Sequence, residues 1–225
     1  MKLCILELDR PSDAHLPAFG SYGDMFENWL WHAMPQAEFI RIAIDKGQAL
    51  PPVASFDGYL VTGCRYGVYD DIPWLGDLKQ FLRDARDTDI PLGGVCFGHQ
   101  IMADTFGADV GKSDKGWVVG PDTYADRAAF AVHQDQVHSK PDGAKFVSGS
   151  PQCPFGRIDY AFRAISIQYH PEFTTDYIKA FLDEWRGKPI PEKLVDMALN
   201  NLGATLNRDR LAADFASVFQ THPTS

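Results

Sequence analysis

A cysteine between two glycines is the residue in this chain best suited to covalent chemistry. The segment Gly94-Val95-Cys96-Phe97-Gly98 follows the apolar run of residues 90–93 and has the form G-x-Cys-x-G. That form is the thiol counterpart of the nucleophile elbow, in which a sharp strand-to-helix turn exposes the nucleophile. A helix start favours the thiolate, and the N–H of Phe97 would face the same point as an oxyanion donor. Taken alone, the pattern supports two interpretations about equally: a nucleophile, or a small cysteine buried as an apolar side chain.

The other three cysteines fit structural roles better. Cys4 falls within an apolar stretch, Cys153 lies in a proline-flanked loop, and Cys64 follows Gly63 at the end of a predicted strand. The four cysteines are far apart and show no C-x-x-C spacing. They are therefore predicted to be reduced thiols rather than a disulfide framework.

A nucleophilic thiol needs a proton acceptor that is held by a third group. The segment His170-Pro171-Glu172 ends an apolar strand and offers both. Pro171 biases His170 toward an extended backbone, in which residues two apart project from the same side. A carboxylate on one ring nitrogen fixes the tautomer and leaves the other nitrogen for the thiol. Without Cys96, a His-Pro turn beside a solvated Glu172 would be the better interpretation, so the combination of the two motifs is what favours catalysis.

The elements that must position these residues alternate between strand and helix in the first half of the chain. Apolar runs predict strands at residues 3–8, 37–44, 56–62 and 90–95. Helical periodicity predicts helices at residues 22–32, 74–86 and 98–106. This order indicates a mostly parallel sheet with helices on both faces.

Shorter β-like segments dominate the second half, and helices return at the end. The segments at residues 117–124, 129–132, 145–150, 155–160 and 164–169 predict an antiparallel addition to the sheet. Helices are predicted from residue 174 and over residues 192–202 and 208–219. We expect one α/β domain over residues 1–225, with a core at about 1–185 and C-terminal helices at about 186–220.

Composition excludes several classes of function. The formal charge of −9 repels phosphate backbones, and no basic patch offsets it, so no nucleic-acid partner is expected. The first apolar run is too short for a signal-peptide core, and no segment approaches the ~20 apolar residues of a membrane span. We therefore expect a cytoplasmic protein with no membrane partner.

Three blocks in order make the chain resemble the class I, or triad-type, glutamine amidotransferase family. They are residues 62–70, 91–100 and 168–173, and with the strand order the resemblance covers residues 1 to about 185. Within the family, the blocks look most like free-standing proteins described as GMP-synthase-like. The resemblance implies a flavodoxin-like open sheet, a Cys96–His170–Glu172 triad, and no metal or organic cofactor.

Further roles are implied by the same resemblance, position by position. The loop after an earlier strand would supply the second oxyanion N–H near Gly63 and Cys64, beside that of Phe97. Gln100 would contact the α-amino and α-carboxylate end of the substrate. Residues 133–137 would contact the same end, and the segment's Gln134 and Asp135 are assigned to substrate binding on this basis.

One departure concerns the oxyanion loop. The family pattern usually has proline after Gly-Gly or Gly-Ser, whereas this chain reads Gly63-Cys64-Arg65. Two interpretations of Arg65 stay open: it grips a substrate carboxylate through its planar fork, or it is an exposed loop residue.

The residues and the resemblance together predict hydrolysis of glutamine or a γ-glutamyl compound through a γ-glutamyl thioester. Two alternatives are a glutaminase subunit that hands ammonia to a separate synthase, and a binding or regulatory protein that has lost turnover. A redox or chaperone-like α/β protein would explain the elbow but not His170-Pro171-Glu172.

Overall fold

Strands and helices alternate along the chain in the order that the apolar patterns predict. The structure is a computed structural model that describes residues 1–220. Its strands are β1 (Lys2–Glu7), β2 (Glu38–Ala43), β3 (Gly58–Val61), β4 (Leu92–Val95), β5 (Val110–Lys112), β6 (Val118–Tyr124), β7 (Arg127–His133), β8 (Asp135–Val137), β9 (Ala144–Ser148), β10 (Arg157–Tyr160) and β11 (Ala164–Ile167). Its helices are α1 (Leu16–Phe19), α2 (Tyr22–Leu30), α3 (Leu75–Asp87), α4 (Phe97–Thr105), α5 (Thr175–Trp185), α6 (Glu192–Leu199) and α7 (Arg208–Gln220), with 3₁₀ turns at Ile44–Lys46 and Val53–Ser55.

Seven of these strands form one sheet in the order β2-β1-β3-β4-β11-β10-β9. The pairs from β2 through β11 are parallel, and the pairs of β10 with β11 and with β9 are antiparallel. The predicted fold class, a mostly parallel open sheet with a small antiparallel extension, is therefore confirmed. Two separate two-stranded antiparallel sheets, β5–β8 and β6–β7, complete the fold.

The alternation of side chains along β1 shows how both faces of the sheet are covered. Leu3 and Ile5 belong to a core cluster with helices α2 and α7, through residues such as Phe26 and Phe215. Cys4 and Leu6 belong to a cluster on the other face, with helices α3 and α4. Successive residues of a strand point to opposite faces, so β1 separates the two cores.

Polar caps fix where two of the site-bearing helices begin. The hydroxyl of Ser21 accepts from the N–H of Asp24, and the Asp24 carboxylate accepts from the N–H of Ser21, which is a capping box for α2. The hydroxyl of Thr174 accepts from the N–H of Tyr177, so α5 begins where its Thr-Thr-Asp start signal predicts.

Three details differ from the sequence-based prediction of the second half. Strands β6 and β7 form a two-stranded sheet of their own instead of extending the main sheet. The pattern at residues 164–169 predicts a strand of the antiparallel addition, whereas its strand, β11, is antiparallel to β10 but parallel to β4. All four residues of β11 are buried, as befits a strand near the centre of a parallel sheet. Strands β5 and β8 were not predicted, because three residues without apolar alternation give no periodic signal.

Four candidate site residues lie at the carboxyl ends of the parallel strands, along one edge of the sheet. Asp9 follows β1, Gly63 follows β3, Cys96 follows β4, and His170 follows β11. Open α/β sheets bind ligands outside the carboxyl ends of their strands, so this edge is where a site is expected. Among residues 1–220, no helix is both long and apolar enough to cross a membrane.

Candidate active site

Cys96 lies on a strained turn between β4 and α4. Its backbone has φ 54° and ψ −107°, a left-handed conformation that residues with a Cβ adopt rarely. The turn is held from both sides: the N–H of Cys96 donates to the carbonyl of Ile167 at 2.9 Å, and that of Gly98 to the carbonyl of Thr62 at 3.1 Å. A Cβ at Gly98 would collide with the carbonyl oxygen of Val61, so only glycine lets α4 start this close to β3. Strain that the surroundings enforce in this way is typical of a functional position.

His170 and Glu172 form a buried ion pair beside this turn. Nδ1 of His170 donates to Oε1 of Glu172 at 2.6 Å, and both side chains are almost fully buried. The imidazole stacks on the ring of Phe173, with centroids 4.1 Å apart and an interplanar angle of 3°. Its backbone N–H donates to the carbonyl of Phe130 at 2.7 Å, which fixes the chain as it leaves β11.

The thiol lies on the remaining side of the imidazole. A side-chain hydrogen bond joins His170 and Cys96. A Cβ built on Gly63 would be 3.3 Å from Cε1 of His170 and 3.6 Å from Cβ of Cys96, so the three residues meet at one point. A candidate nucleophile, a candidate base and a carboxylate that holds this base are thus adjacent, as cysteine hydrolysis requires.

Electrostatics keep the imidazole charged. Burial lowers the pKa of His170, but the charges of Glu172 and Cys96 and its hydrogen bonds to both outweigh burial and raise it to about 10. The proton on the imidazole is then available for a leaving group.

Glu172 is anchored through its backbone by a residue far along the chain. Nε of Arg208, at the start of α7, donates to the carbonyl of Pro171 at 2.6 Å, and its Nη2 donates to that of Glu172 at 3.3 Å. Oε2 of Glu172 accepts no hydrogen bond from residues 1–220. The orientation of the carboxylate therefore depends on Oε1 and on the Arg208 clamp.

Arg65 turns toward Asp9. The Asp9 carboxylate accepts from the backbone N–H of Arg65 at 3.1 Å, from its Nε at 2.8 Å and from its Nη2 at 2.7 Å. This carboxylate raises the pKa of Arg65 far above its ordinary value. The loop that lacks the usual proline is thus tied to the end of β1, and Asp9 is a site residue that the motifs did not indicate. Its position directly after a buried strand was the available signal.

The remaining oxyanion candidates surround the thiol. Gly63 and Cys64 line the same cavity as Cys96, and Phe97 is the first residue of α4, where backbone N–H groups have no partner within the helix. Burial raises the pKa of the Cys64 thiol, which also accepts from the N–H of Tyr66. Cys64 is therefore a neutral thiol, and its backbone remains the candidate oxyanion donor.

The predicted substrate-binding residues meet on the other side of the cavity. Nε2 of Gln100 donates to the carbonyl of Asp135 at 2.9 Å and to Oε1 of Gln168 at 3.1 Å. The Asp135 carboxylate accepts from the hydroxyl of Tyr69 at 2.7 Å. Gln134 also lines the cavity. Helix α4 and the start of β8 thus bring Gln100, Gln134 and Asp135 to one wall.

Two other buried histidines are unsuited to act as bases. Burial lowers the pKa of His99 and of His133 to about 3 in each case. Nδ1 of His99 lies 2.8 Å from Oγ of Ser166, inside the core. Among the residues that the structure describes, no group of three or more His, Cys, Asp or Glu side chains is placed to hold a metal ion.

The open parallel sheet, with a cysteine at its strained strand-to-helix turn and a His–Glu pair beside it, defines an α/β protein with a candidate nucleophile elbow. The model of the family described as glutamine amidotransferase class-I matches residues 23–182, and the chain belongs to that family.

Known proteins are similar over most of the chain. A glutamine amidotransferase-like protein of Schizosaccharomyces pombe is 24% identical over 93% of this chain and 95% of its own length. Gamma-glutamyl peptidase 4 of Arabidopsis thaliana is 23% identical over 73% of each chain. The crystal structure of a glutamine amidotransferase from Thermotoga maritima has the same fold, with a TM-score of 0.73 at 19% identity over 97% of this chain and 96% of that one.

Proposed function

We propose that this protein hydrolyses a γ-glutamyl amide through a thioester on Cys96. The observation that carries the proposal is the His170–Glu172 pair, hydrogen-bonded at 2.6 Å and placed beside a thiol on a strained turn. Membership of the amidotransferase family and similarity to a γ-glutamyl peptidase support the substrate class.

Acylation follows from the charges of the site. The Cys96 thiolate adds to the γ-carbonyl carbon, and backbone N–H groups at Phe97 and near Cys64 hold the oxyanion. The C–N bond then breaks as protonated His170 gives its proton to the departing nitrogen, which leaves as ammonia or an amine. The γ-glutamyl group stays on the sulfur as a thioester, and the imidazole is neutral.

Deacylation reverses the roles of the same groups. Neutral His170 takes a proton from water as the water oxygen attacks the thioester carbon, and the C–S bond breaks to release glutamate. The thiolate and the protonated imidazole are restored. Glu172 keeps one tautomer of His170 throughout and stabilises its charged form.

The experiment is a measurement of glutamate released from L-glutamine and from γ-glutamyl amides. Wild type is compared with Cys96→Ala and with Cys153→Ala, a matched loss of a buried thiol outside the site. We expect Cys96→Ala to abolish release and Cys153→Ala to keep it. Release that persists in Cys96→Ala contradicts the nucleophile assignment.

A second outcome separates hydrolysis from ammonia delivery. If glutamine is cleaved only after cell lysate is added, the chain acts as the glutaminase subunit of a separate synthase. If no γ-glutamyl donor is cleaved under either condition, the fold serves binding or regulation.

A further inference from the structure

The cavity at the triad is larger than the proposed reaction on glutamine needs. It has a volume of about 700 Å³, within the range of pockets that hold drug-sized ligands. A γ-glutamyl group occupies only the part beside Cys96, and departing ammonia would occupy almost none of the remainder. The extra space therefore has room for a substantial leaving group.

A row of aromatic rings runs from the catalytic imidazole along α5. His170 stacks on Phe173 at 4.1 Å between centroids, Phe173 contacts Tyr177 at 4.6 Å, Tyr177 contacts Phe181 at 6.2 Å, and Phe181 stacks on Trp185 at 4.6 Å. The four aromatic residues of the row that follow His170 are spaced four apart, and the three that lie in α5 share one face of the helix. All of them line the cavity. Because His170 protonates the departing nitrogen in the proposed reaction, the row begins where the leaving amine lies.

Two further aromatic residues of the cavity are unusually exposed. Tyr66 is 46% exposed and Tyr69 is 54% exposed, and both follow the oxyanion loop. The hydroxyl of Tyr69 is held by Asp135, which fixes the direction of its ring. Trp117 lines the same cavity. Exposed rings in a concave site offer flat apolar surface that a bound ring would cover.

The cations of the cavity wall already have carboxylate partners. Arg10 pairs with Asp13 at 2.9 Å, Arg65 with Asp9 at 2.7 Å, and Lys112 with Asp135 at 3.8 Å. A leaving group that carries its own carboxylate would have to compete with these acids. An uncharged ring would not compete with these acids.

We propose that the aromatic row and the two exposed tyrosines bind the amine part of the substrate, which is a γ-glutamyl amide of an amine bearing an aromatic ring. This rests on the proposed γ-glutamyl hydrolysis and names its substrate class. The ring packs along Phe181 and Trp185 and against Tyr66, while the amide nitrogen lies at His170.

The test compares two amides whose leaving amines are both primary alkylamines and differ in the ring. They are γ-glutamylbenzylamide and γ-glutamylpropylamide. We expect kcat/KM to favour the benzylamide by about tenfold or more. Trp185→Ala and Tyr66→Ala should each reduce that preference several-fold. Trp31→Ala and Phe146→Ala remove aromatic residues that are equally exposed but lie outside the cavity, and they should keep the wild-type ratio.

Binding to the Cys96→Ala protein, measured by calorimetry, separates this inference from the proposed function. If no amide is hydrolysed but Cys96→Ala binds the benzylamide tighter than the propylamide, and Trp185→Ala in that background removes the difference, the subsite stands and the hydrolysis does not. Equal binding and equal turnover of the two amides would overturn the inference. So would a preference that both Trp185→Ala and Tyr66→Ala leave intact.

Discussion

Asp9 binds Arg65 through three hydrogen bonds, one from the backbone N–H and two from the guanidinium group. The two residues join the end of β1 to the loop that follows β3, one residue beyond Cys64. A proline would stiffen this loop by fixing its backbone. Here a buried carboxylate holds the backbone and the side chain of the same residue.

The first prediction concerns this clamp. Asp9→Asn and Arg65→Ala should each lower kcat by about tenfold, less than the 10²- to 10³-fold loss of a whole oxyanion donor, with little change in KM. Because the residues act as one unit, the double variant should be no worse than either single variant. Steady-state kinetics on the three proteins provide the check. If Arg65 instead grips the substrate carboxylate, Arg65→Ala raises KM and Asp9→Asn does not.

The second prediction concerns the charge of Glu172. Glu172→Gln keeps the shape of the side chain but removes the charge that raises the pKa of His170, so kcat should fall by about 10²- to 10⁴-fold. The protonated imidazole is then lost at lower pH, and the alkaline limb of the kcat/KM profile, which reports the free enzyme, should move down from near pH 10. Glu38→Gln, an exposed carboxylate, is the control. An unshifted limb would contradict the role of Glu172.

The third prediction concerns the anchor from α7. Arg208→Ala frees the carbonyls of Pro171 and Glu172, so kcat should fall by about tenfold while the protein remains folded. Arg210→Ala, in the same helix, removes only an exposed contact with Asp126 and should match wild type. Kinetics and thermal melts measured together separate lost alignment from lost structure. Equal rates in the two variants would show that Arg208 has no positioning role.

The fourth prediction concerns stability in acid. Burial lowers the pKa of His99 to about 3, so the unfolded chain binds a proton that the folded chain excludes between about pH 6.5 and 3. His99 therefore does not change the free energy of unfolding above pH 6.5. Below that pH the free energy of unfolding falls, by about 2 kcal/mol between pH 6.5 and 5. His99→Asn, which can still bond Ser166, should halve the pH dependence measured by urea unfolding at pH 7 and pH 5, because His133, whose pKa burial also lowers to about 3, keeps its own share. His138→Asn, which replaces an exposed histidine, should keep the wild-type pH dependence. The same pH dependence in both variants would contradict the assignment.

Much of the fold was predictable because its signals are local. The apolar run of β4, the glycines around Cys96 and the start signal at Thr174 each specify a neighbouring piece of backbone. Pairing partners are not local. The parallel pairing of β11 with β4, and the short strands β5 and β8, depend on which segments the sheet brings together.

The candidate site divides in the same way. His170 and Glu172 are two residues apart, so their contact could be inferred from an extended backbone. Asp9 meets Arg65 across 56 residues, and Arg208 meets Glu172 across 36. The motifs around Arg65 and Glu172 give no indication of partners so far away in the sequence. The Asp9 partner of Arg65 could therefore not be predicted from the loop motif.

The most direct test of the central claim is covalent labelling with the glutamine analogue 6-diazo-5-oxo-L-norleucine, followed by peptide mapping. We predict one label per chain, carried by Cys96, slowed by excess glutamine and absent from Cys96→Ala. Cys153→Ala should be labelled like wild type. A label on Cys4, Cys64 or Cys153, or no label on a folded protein whose Cys96 still reacts with a small maleimide, would contradict the account.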